Sequence, residues 1–143
     1  MGIFDNRVLW TAVTGWFVAQ ALKVIVDLLL KRKLNIRRMI GSGGMPSSHS
    51  SMVTALAVAV GRTEGVASVL FAICAVVASI VMYDAAGVRR ETGEQAKIIN
   101  QMVENWIDDD TDFGRELKEL VGHTPLEVFA GAALGIAIGF IMF

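Results

Sequence analysis

The sequence VASVLFAICAVVASIVMYDAAGV, residues 66–88, decides the fold because it is an apolar run with no charged residue before Asp84. A helix of roughly 20 such residues crosses the hydrocarbon core of a bilayer. Residues 8–30 and 124–143 form two similar runs. Residues 46–62 form a shorter run rich in Ala and Ser, which predicts a span buried against its neighbours. We therefore predict a single all-α membrane domain over residues 1–143, an integral membrane bundle of about four transmembrane helices.

The composition excludes several other classes of protein. Of the 143 residues 54% are hydrophobic, and the net charge of −1 argues against nucleic-acid binding. Cys74 is the single cysteine, so neither an internal disulfide nor a cysteine metal cluster is predicted. The first run carries Gln20, Lys23 and Asp27 and is followed by basic residues, which is untypical of a cleavable signal.

The distribution of basic residues predicts the topology. Lys and Arg cluster at residues 31–38, directly after the first run, and such clusters stay on the cytoplasmic side. Arg89 and Arg90 end the third run, in agreement with the same rule. The start of span two, the end of span three and the start of span four then share the cytoplasmic face. We predict an integral protein of the bacterial plasma membrane with its polar motifs facing the cytoplasm.

The polar segment 91–122 separates spans three and four. Ala96, Ile99, Met102 and Trp106 recur at helical spacing, and a second stripe begins at Phe113. We expect two short amphipathic helices in this insert, packed on the cytoplasmic ends of the spans or lying in the membrane interface. The acidic run 108–112 lacks the glycine and terminal glutamate of a calcium loop, which favours a solvated helix cap.

Polar residues precede two of the apolar runs. Ser47 and Ser48 follow a glycine-rich turn and come just before His49. Backbone N–H groups at a helix start attract anions, so this segment predicts either a phosphate cradle or a serine helix cap, and both roles can coexist. His123 stands before the last run, where Thr124 and Glu127 have the spacing of a capping box. Glu127 is also one helical turn from His123, so it can instead accept the imidazole Nδ1–H.

Charged residues near the span ends are further candidates. Arg89 or Arg90, with Asp84 before it, has the chemistry of a bidentate phosphate ligand; the other arginine then serves as a topology anchor. Lys23 and Asp27 share one face of the first span, inside the membrane. Ionisable residues at such depth are functional candidates, although a neutralised ion pair facing the bundle explains them as well.

Three segments together resemble a known family: GGMPSSHS at 43–50, DAAGVRR at 84–90 and GHTPLEV at 122–128. They are similar to the motifs of the divergent branch of the type 2 phosphatidic acid phosphatase and vanadium haloperoxidase superfamily, and the resemblance covers nearly the whole chain. It implies a phosphatase that needs no metal or cofactor and forms a phosphohistidine intermediate.

The same resemblance assigns roles to residues. His123 matches the nucleophile, His49 the acid that protonates the leaving oxygen, and Glu127 the carboxylate that orients His123. The expected phosphate ligands are Arg89 or Arg90, Ser47, Ser48, Arg38 and a lysine, either Lys31 or the deeper Lys23. Ser48 stands in place of the usual glycine, Arg38 is not followed by proline, and no serine precedes Arg89. The usual core has six helices, so a homodimer or the amphipathic helices would complete this bundle.

The expected activity is hydrolysis of a lipid phosphomonoester of the phosphatidylglycerol phosphate, phosphatidate or polyprenyl phosphate type. The alternative is a non-enzymatic protein that binds or transports an anionic lipid with the same phosphate pocket. A purely structural bundle, whose polar motifs are caps and anchors, is the third interpretation.

Overall fold

The computed structural model describes residues 2–31, 44–106, 117 and 122–143. Within these ranges the regular backbone is helical and contains no strand, so the all-α prediction is confirmed. A short 3₁₀ helix, Ile3–Asp5, precedes five α-helices. They are α1 (Arg7–Lys31), α2 (Ser48–Glu64), α3 (Val69–Ala86), α4 (Val88–Trp106) and α5 (Pro125–Met142).

Three helical segments are long and apolar enough to cross a membrane. They are Arg7–Leu29, Val69–Val103 and Pro125–Met142, with mean hydropathies of 1.6, 2.2 and 1.9. The middle segment combines α3 with most of α4. Helix α2 has 17 residues and is not one of the three. The structure therefore supports a helical membrane protein, and the crossing of the bilayer by α2 stays a prediction.

Helix α2 lies at the centre of the bundle and packs against α1, α3 and α5. Its buried residues are small or carry a hydroxyl, apart from one valine: Ser48, Ser50, Ser51, Thr54, Ala55, Ala57, Ala59 and Val60. Two of the buried hydroxyls bond to backbone carbonyls. Ser51 Oγ donates to the Gly15 oxygen at 2.9 Å, and Thr54 Oγ1 to the Ser50 oxygen at 2.7 Å. The Ala- and Ser-rich run thus forms a helix that neighbours can approach closely.

Helix α5 meets α2 through glycines at four-residue spacing. A methyl group on Gly131 would collide with the Ser47 carbonyl oxygen, and one on Gly135 with the Ser51 carbonyl oxygen. A methyl group on Gly139 would lie 2.6 Å from Val58 Cβ. These glycines let the two backbones touch, which is the usual way that membrane helices pack tightly.

The insert after α3 begins as a helix almost at once. Helix α4 starts at Val88, directly after Gly87, rather than at residue 91. Its sequence is amphipathic as expected, and Glu94, Lys97 and Gln101 are exposed. Of the predicted apolar stripe Ala96 is buried, whereas Ile99 and Met102 are exposed. The Asn100 side chain pairs with the Leu117 backbone through two hydrogen bonds of 2.9 Å. The acidic run 108–112 and most of the second amphipathic stripe lie outside the described residues.

Candidate functional site

The polar motifs meet at one end of the bundle, where α2 and α5 begin; we call it the site end. The Ser47 backbone N–H donates to the Glu127 carbonyl oxygen at 2.9 Å, which joins the starts of α2 and α5. The His123 N–H donates to the Ala85 carbonyl oxygen at 2.9 Å, which joins the segment before α5 to the end of α3. The structure therefore brings together three segments that are far apart in the sequence.

Gly122 fixes the approach of the His123 segment to the junction between α3 and α4. Its φ is +106°, a conformation that favours glycine, and an added methyl group would lie 2.6 Å from the Arg90 backbone nitrogen. Because α3 ends at Ala86, the Ala85 carbonyl oxygen lies in the last turn of the helix, where carbonyl groups lack a partner within the helix. It accepts the His123 N–H instead. Neither the contact of Gly122 with the Arg90 backbone nor the hydrogen bond from His123 to Ala85 was predicted. The Gly-His pair at residues 122–123 was the only sequence feature that pointed to this segment.

Glu127 fulfils both roles that the sequence left as alternatives: it caps α5 and contacts the His123 imidazole. Its Oε2 atom accepts the Thr124 backbone N–H at 2.9 Å, and the Thr124 hydroxyl accepts the Glu127 N–H at 3.3 Å, which completes the capping box. The same Oε2 lies 3.2 Å from His123 Nδ1. A carboxylate accepts hydrogen bonds, so a neutral His123 carries its proton on Nδ1 and leaves the Nε2 lone pair free.

The surroundings of His123 favour this neutral ring. Only 4% of the residue is exposed, and burial is the main cause that lowers the pKa of His123. The positive charge of Lys23 lowers this pKa further, and Arg89 acts in the same direction, against the opposing effect of Glu127. A neutral, oriented imidazole is the form that acts as a nucleophile.

His49 is the second imidazole at the site end. It lies in the first turn of α2 and is exposed, in contrast to His123. The charges of Arg89, His123, Lys23 and Asp84 all act on it electrostatically. The two histidines therefore belong to one charged cluster, with the buried ring on one side and the exposed ring on the other.

The arginines are distinguished by their surroundings. Arg89 Nε donates to Asp84 Oδ2 at 2.6 Å, and the charge of Arg89 acts on both histidines. Both arginines are exposed, but the contact of Arg90 with Gly122 involves its backbone. Asp84 thus holds Arg89 beside the imidazoles, which makes Arg89 the better candidate for a phosphate ligand.

Lys23 reaches the site from within α1. Its side chain is buried, and Nζ donates to Ser48 Oγ at 3.3 Å. Its charge acts on both histidines. Asp27 is buried one helical turn further along the same face of α1. The Lys31 side chain and Arg38 lie outside the described residues, so their predicted role in phosphate binding stays a prediction.

The serines before α2 form the helix start. Ser47 Oγ accepts the Ser50 N–H at 3.4 Å and the Ser50 hydroxyl at 3.0 Å, which caps the helix. The N-termini of α2 and α5 both lie at the site end, where their partial positive charges add to those of Lys23 and Arg89. This arrangement attracts an anion. In the described part of the chain, no group of three or more His, Cys, Asp or Glu residues has the geometry of a metal site.

The sequence matches one protein family and one curated relative over nearly its whole length. Residues 4–138 match the family described as the Divergent PAP2 family. The chain is also 39% identical, over 99% of its length and 97% of the relative's, to the "Uncharacterized membrane protein YuiD" of Bacillus subtilis (strain 168). No solved structure matches the chain.

Proposed function

Because the chain belongs to the divergent PAP2 family, we propose that it is a membrane-embedded phosphatase that hydrolyses lipid phosphomonoesters through a phosphohistidine intermediate. The observation that carries this proposal is the buried His123, oriented by Glu127, in one electrostatic cluster with Lys23, Arg89 and His49. A neutral nucleophile surrounded by cations is suited to attack on a phosphate dianion.

The first chemical step forms a bond between His123 Nε2 and phosphorus and breaks the phosphorus–oxygen ester bond. His49 gives its proton to the leaving oxygen, so the product is a neutral alcohol. Lys23, Arg89 and the two helix N-termini stabilise the negative charge on the equatorial oxygens. His49 must be protonated to act as the acid, and the negative charge of the bound phosphate dianion favours its protonated form.

The second step releases inorganic phosphate. Water attacks phosphorus opposite His123, and His49, now neutral, takes the proton from that water. The bond between phosphorus and His123 Nε2 breaks, and the starting state returns. The reaction consumes one water for each ester and needs no other reactant.

The proposed substrate is a phospholipid or polyprenyl phosphate on the cytoplasmic leaflet of a bacterial plasma membrane. The sequence has a Lys and Arg cluster at residues 31–38, directly after the apolar run of α1, and cytoplasmic loops carry such an excess of basic residues. Phosphatidylglycerol phosphate, phosphatidate and polyprenyl phosphates all present a phosphomonoester on a hydrophobic alcohol. The terminal phosphate and the membrane anchor are the features that the proposed site would recognise.

A second candidate function is binding or transport of an anionic lipid without hydrolysis. The observation in its favour is the close pairing of Arg89 with Asp84, which occupies part of the guanidinium that phosphate would otherwise bind. Ser48 in place of the family's usual glycine also departs from the enzymatic pattern. A protein that binds the lipid phosphate without hydrolysing it would need the same positively charged residues.

The test is phosphate release by purified protein from dioleoyl phosphatidate, phosphatidylglycerol phosphate and undecaprenyl phosphate. We expect turnover by the wild type and a loss of about 100-fold or more in His123→Ala and His49→Ala, because a general acid alone contributes roughly 10²- to 10⁴-fold. Glu91→Gln, which removes an exposed carboxylate on α4, is the matched control and should leave turnover unchanged. Equal release by wild type and both histidine variants would exclude the enzyme, and saturable lipid binding by an inactive wild type would support the second candidate.

A further inference from the structure

Three helices cover α2 on three sides. Helix α5 packs on it through Gly131 and Gly135, as described above. Helix α1 contacts α5 and also packs on α2, where a methyl group on Gly15 would be 3.0 Å from both Ala55 Cβ and the Ser51 carbonyl oxygen. Helix α3 lies on the other flank, where a methyl group on Gly61 would be 3.0 Å from a ring carbon of Phe71. Helices α1 and α3 share no interface of similar extent in the described ranges.

Within the described residues, no helix therefore covers the fourth side of α2. His49, Met52, Val53 and Leu56 follow one another at helical spacing on this side, which we call the open face. His49 is exposed, Met52 is 36% exposed, and Val53 and Leu56 are partly exposed. By contrast, the residues of α2 that point toward α1 and α5 are buried: Ser48, Ser51 and Ala55. The open face thus begins at the exposed imidazole and continues as an apolar surface between α1 and α3.

The positions of the two histidines determine how a substrate must lie. In an in-line substitution at phosphorus the leaving oxygen departs opposite the nucleophile. The proposed nucleophile, His123, is 4% exposed, whereas the proposed acid, His49, is exposed. The alcohol part of the ester must then project past His49, toward the open face and away from the interior of the bundle.

We propose that the open face holds the hydrocarbon tail of the substrate, so that the lipid reaches the site sideways from the bilayer between α1 and α3. This inference rests on the proposed function and adds the route of access and the surface that selects for a long tail. Met52 lies about 5 Å along the helix axis from His49, on the side of the membrane interior. A headgroup at His49 therefore places the first tail carbons against Met52, and Val53 and Leu56 continue the path.

A lipid tail fits this surface better than water or a polar partner. Met52, Val53 and Leu56 are all apolar, and both flanking helices belong to the segments long and apolar enough to span a membrane. The path from His49 leads directly to the hydrocarbon region, so the tail need not leave the bilayer while the phosphate binds. A methionine adapts its shape to flexible apolar ligands.

The test compares hydrolysis of dioleoyl phosphatidate with that of the short-chain dihexanoyl phosphatidate. Met52→Trp should lower the ratio of long-chain to short-chain kcat/KM roughly tenfold, which corresponds to about 1.4 kcal/mol. Val76→Trp, at a position 58% exposed on α3, is the control and should leave the ratio unchanged. An unchanged ratio in Met52→Trp would overturn the access route while leaving the phosphatase intact. A wild type inactive on all substrates would instead refute the proposed function.

A second variant tests the proposal without placing a tryptophan on α2. Met52→Cys in a Cys74→Ser background should retain the wild-type ratio until the introduced thiol reacts with N-ethylmaleimide, which should then lower that ratio. Retention of the ratio after complete alkylation would contradict the proposal. A disulfide-linked dimer through the introduced thiol would also overturn it, because a second copy of the chain would then cover the open face.

Discussion

Replacing Glu127 tests whether the cap of α5 also prepares the nucleophile. One oxygen, Oε2, accepts the Thr124 backbone N–H at 2.9 Å and lies 3.2 Å from His123 Nδ1. Glu127→Ala removes both hydrogen bonds. Thr124→Ala removes the hydroxyl that accepts the Glu127 N–H but leaves the contact between Glu127 and His123 in place. The pair of variants therefore separates capping from orientation.

The expected losses of stability and of kcat follow from the energies of the two hydrogen bonds, the helix cap and the contact between Glu127 and His123. Loss of a helix N-cap costs about 1 kcal/mol of stability, so both variants should unfold at lower temperature. A hydrogen bond to a charged group contributes about 1.5–3 kcal/mol, and loss of this amount from the transition state slows turnover roughly 10- to 150-fold. We expect that decrease in kcat for Glu127→Ala and near wild-type kcat for Thr124→Ala.

The assay is phosphate release from dioleoyl phosphatidate, with thermal unfolding measured on the same detergent-solubilised samples. Glu127→Gln is informative as well, because its amide oxygen can keep the cap while the charge is lost. It should retain most of the stability and lose about fivefold to tenfold in kcat, since charge-assisted hydrogen bonds are about twice as strong as neutral ones. Equal kcat in Thr124→Ala and Glu127→Ala would refute the orienting role and leave Glu127 as a cap only.

Three further predictions concern separate parts of the protein. Because burial and the charge of Lys23 lower the pKa of His123 from its ordinary value of 6.5, the loss of kcat/KM on the acidic side of its pH profile should have its midpoint below pH 6.5. An acidic midpoint above pH 6.5 would contradict the neutral nucleophile. Arg89→Ala should lose at least about tenfold in kcat/KM while Arg90→Ala stays close to wild type, and the reverse order would assign the phosphate to Arg90. Gly135→Ala should lower stability by about 1–3 kcal/mol in thermal unfolding, whereas a melting temperature equal to the wild type's would argue against the backbone contact with α2.

The membrane helices and the common location of the motifs follow from local features of the sequence. Apolar runs have the length of a span, and successive spans reverse direction, so the start of one and the end of the next share a face. His49 and His123 could therefore be predicted at the same end of the bundle without any knowledge of helix packing. The predicted start of the insert, residue 91, was less accurate. Helix α4 starts directly after Gly87, and residue patterns do not locate so short a break between two helices.

Contacts between distant segments could not be predicted from local patterns. The spacing of Gly131, Gly135 and Gly139 signals close helix packing, but a pattern of glycines does not identify the helix that approaches. The choice between Arg89 and Arg90 depends on Asp84 and on the position of Gly122, which only the folded chain determines. Likewise, Lys23 contacts Ser48 because α1 and α2 pack side by side.

Trapping of the covalent intermediate shows whether His123 is the nucleophile. Purified protein is mixed with a lipid phosphate carrying a radioactive phosphoryl group, quenched in alkali, which preserves phosphohistidine, and digested for peptide mapping. We expect label on the peptide that contains His123 and no label in His123→Ala. Turnover without labelled histidine, or label that persists in His123→Ala, would contradict this role of His123.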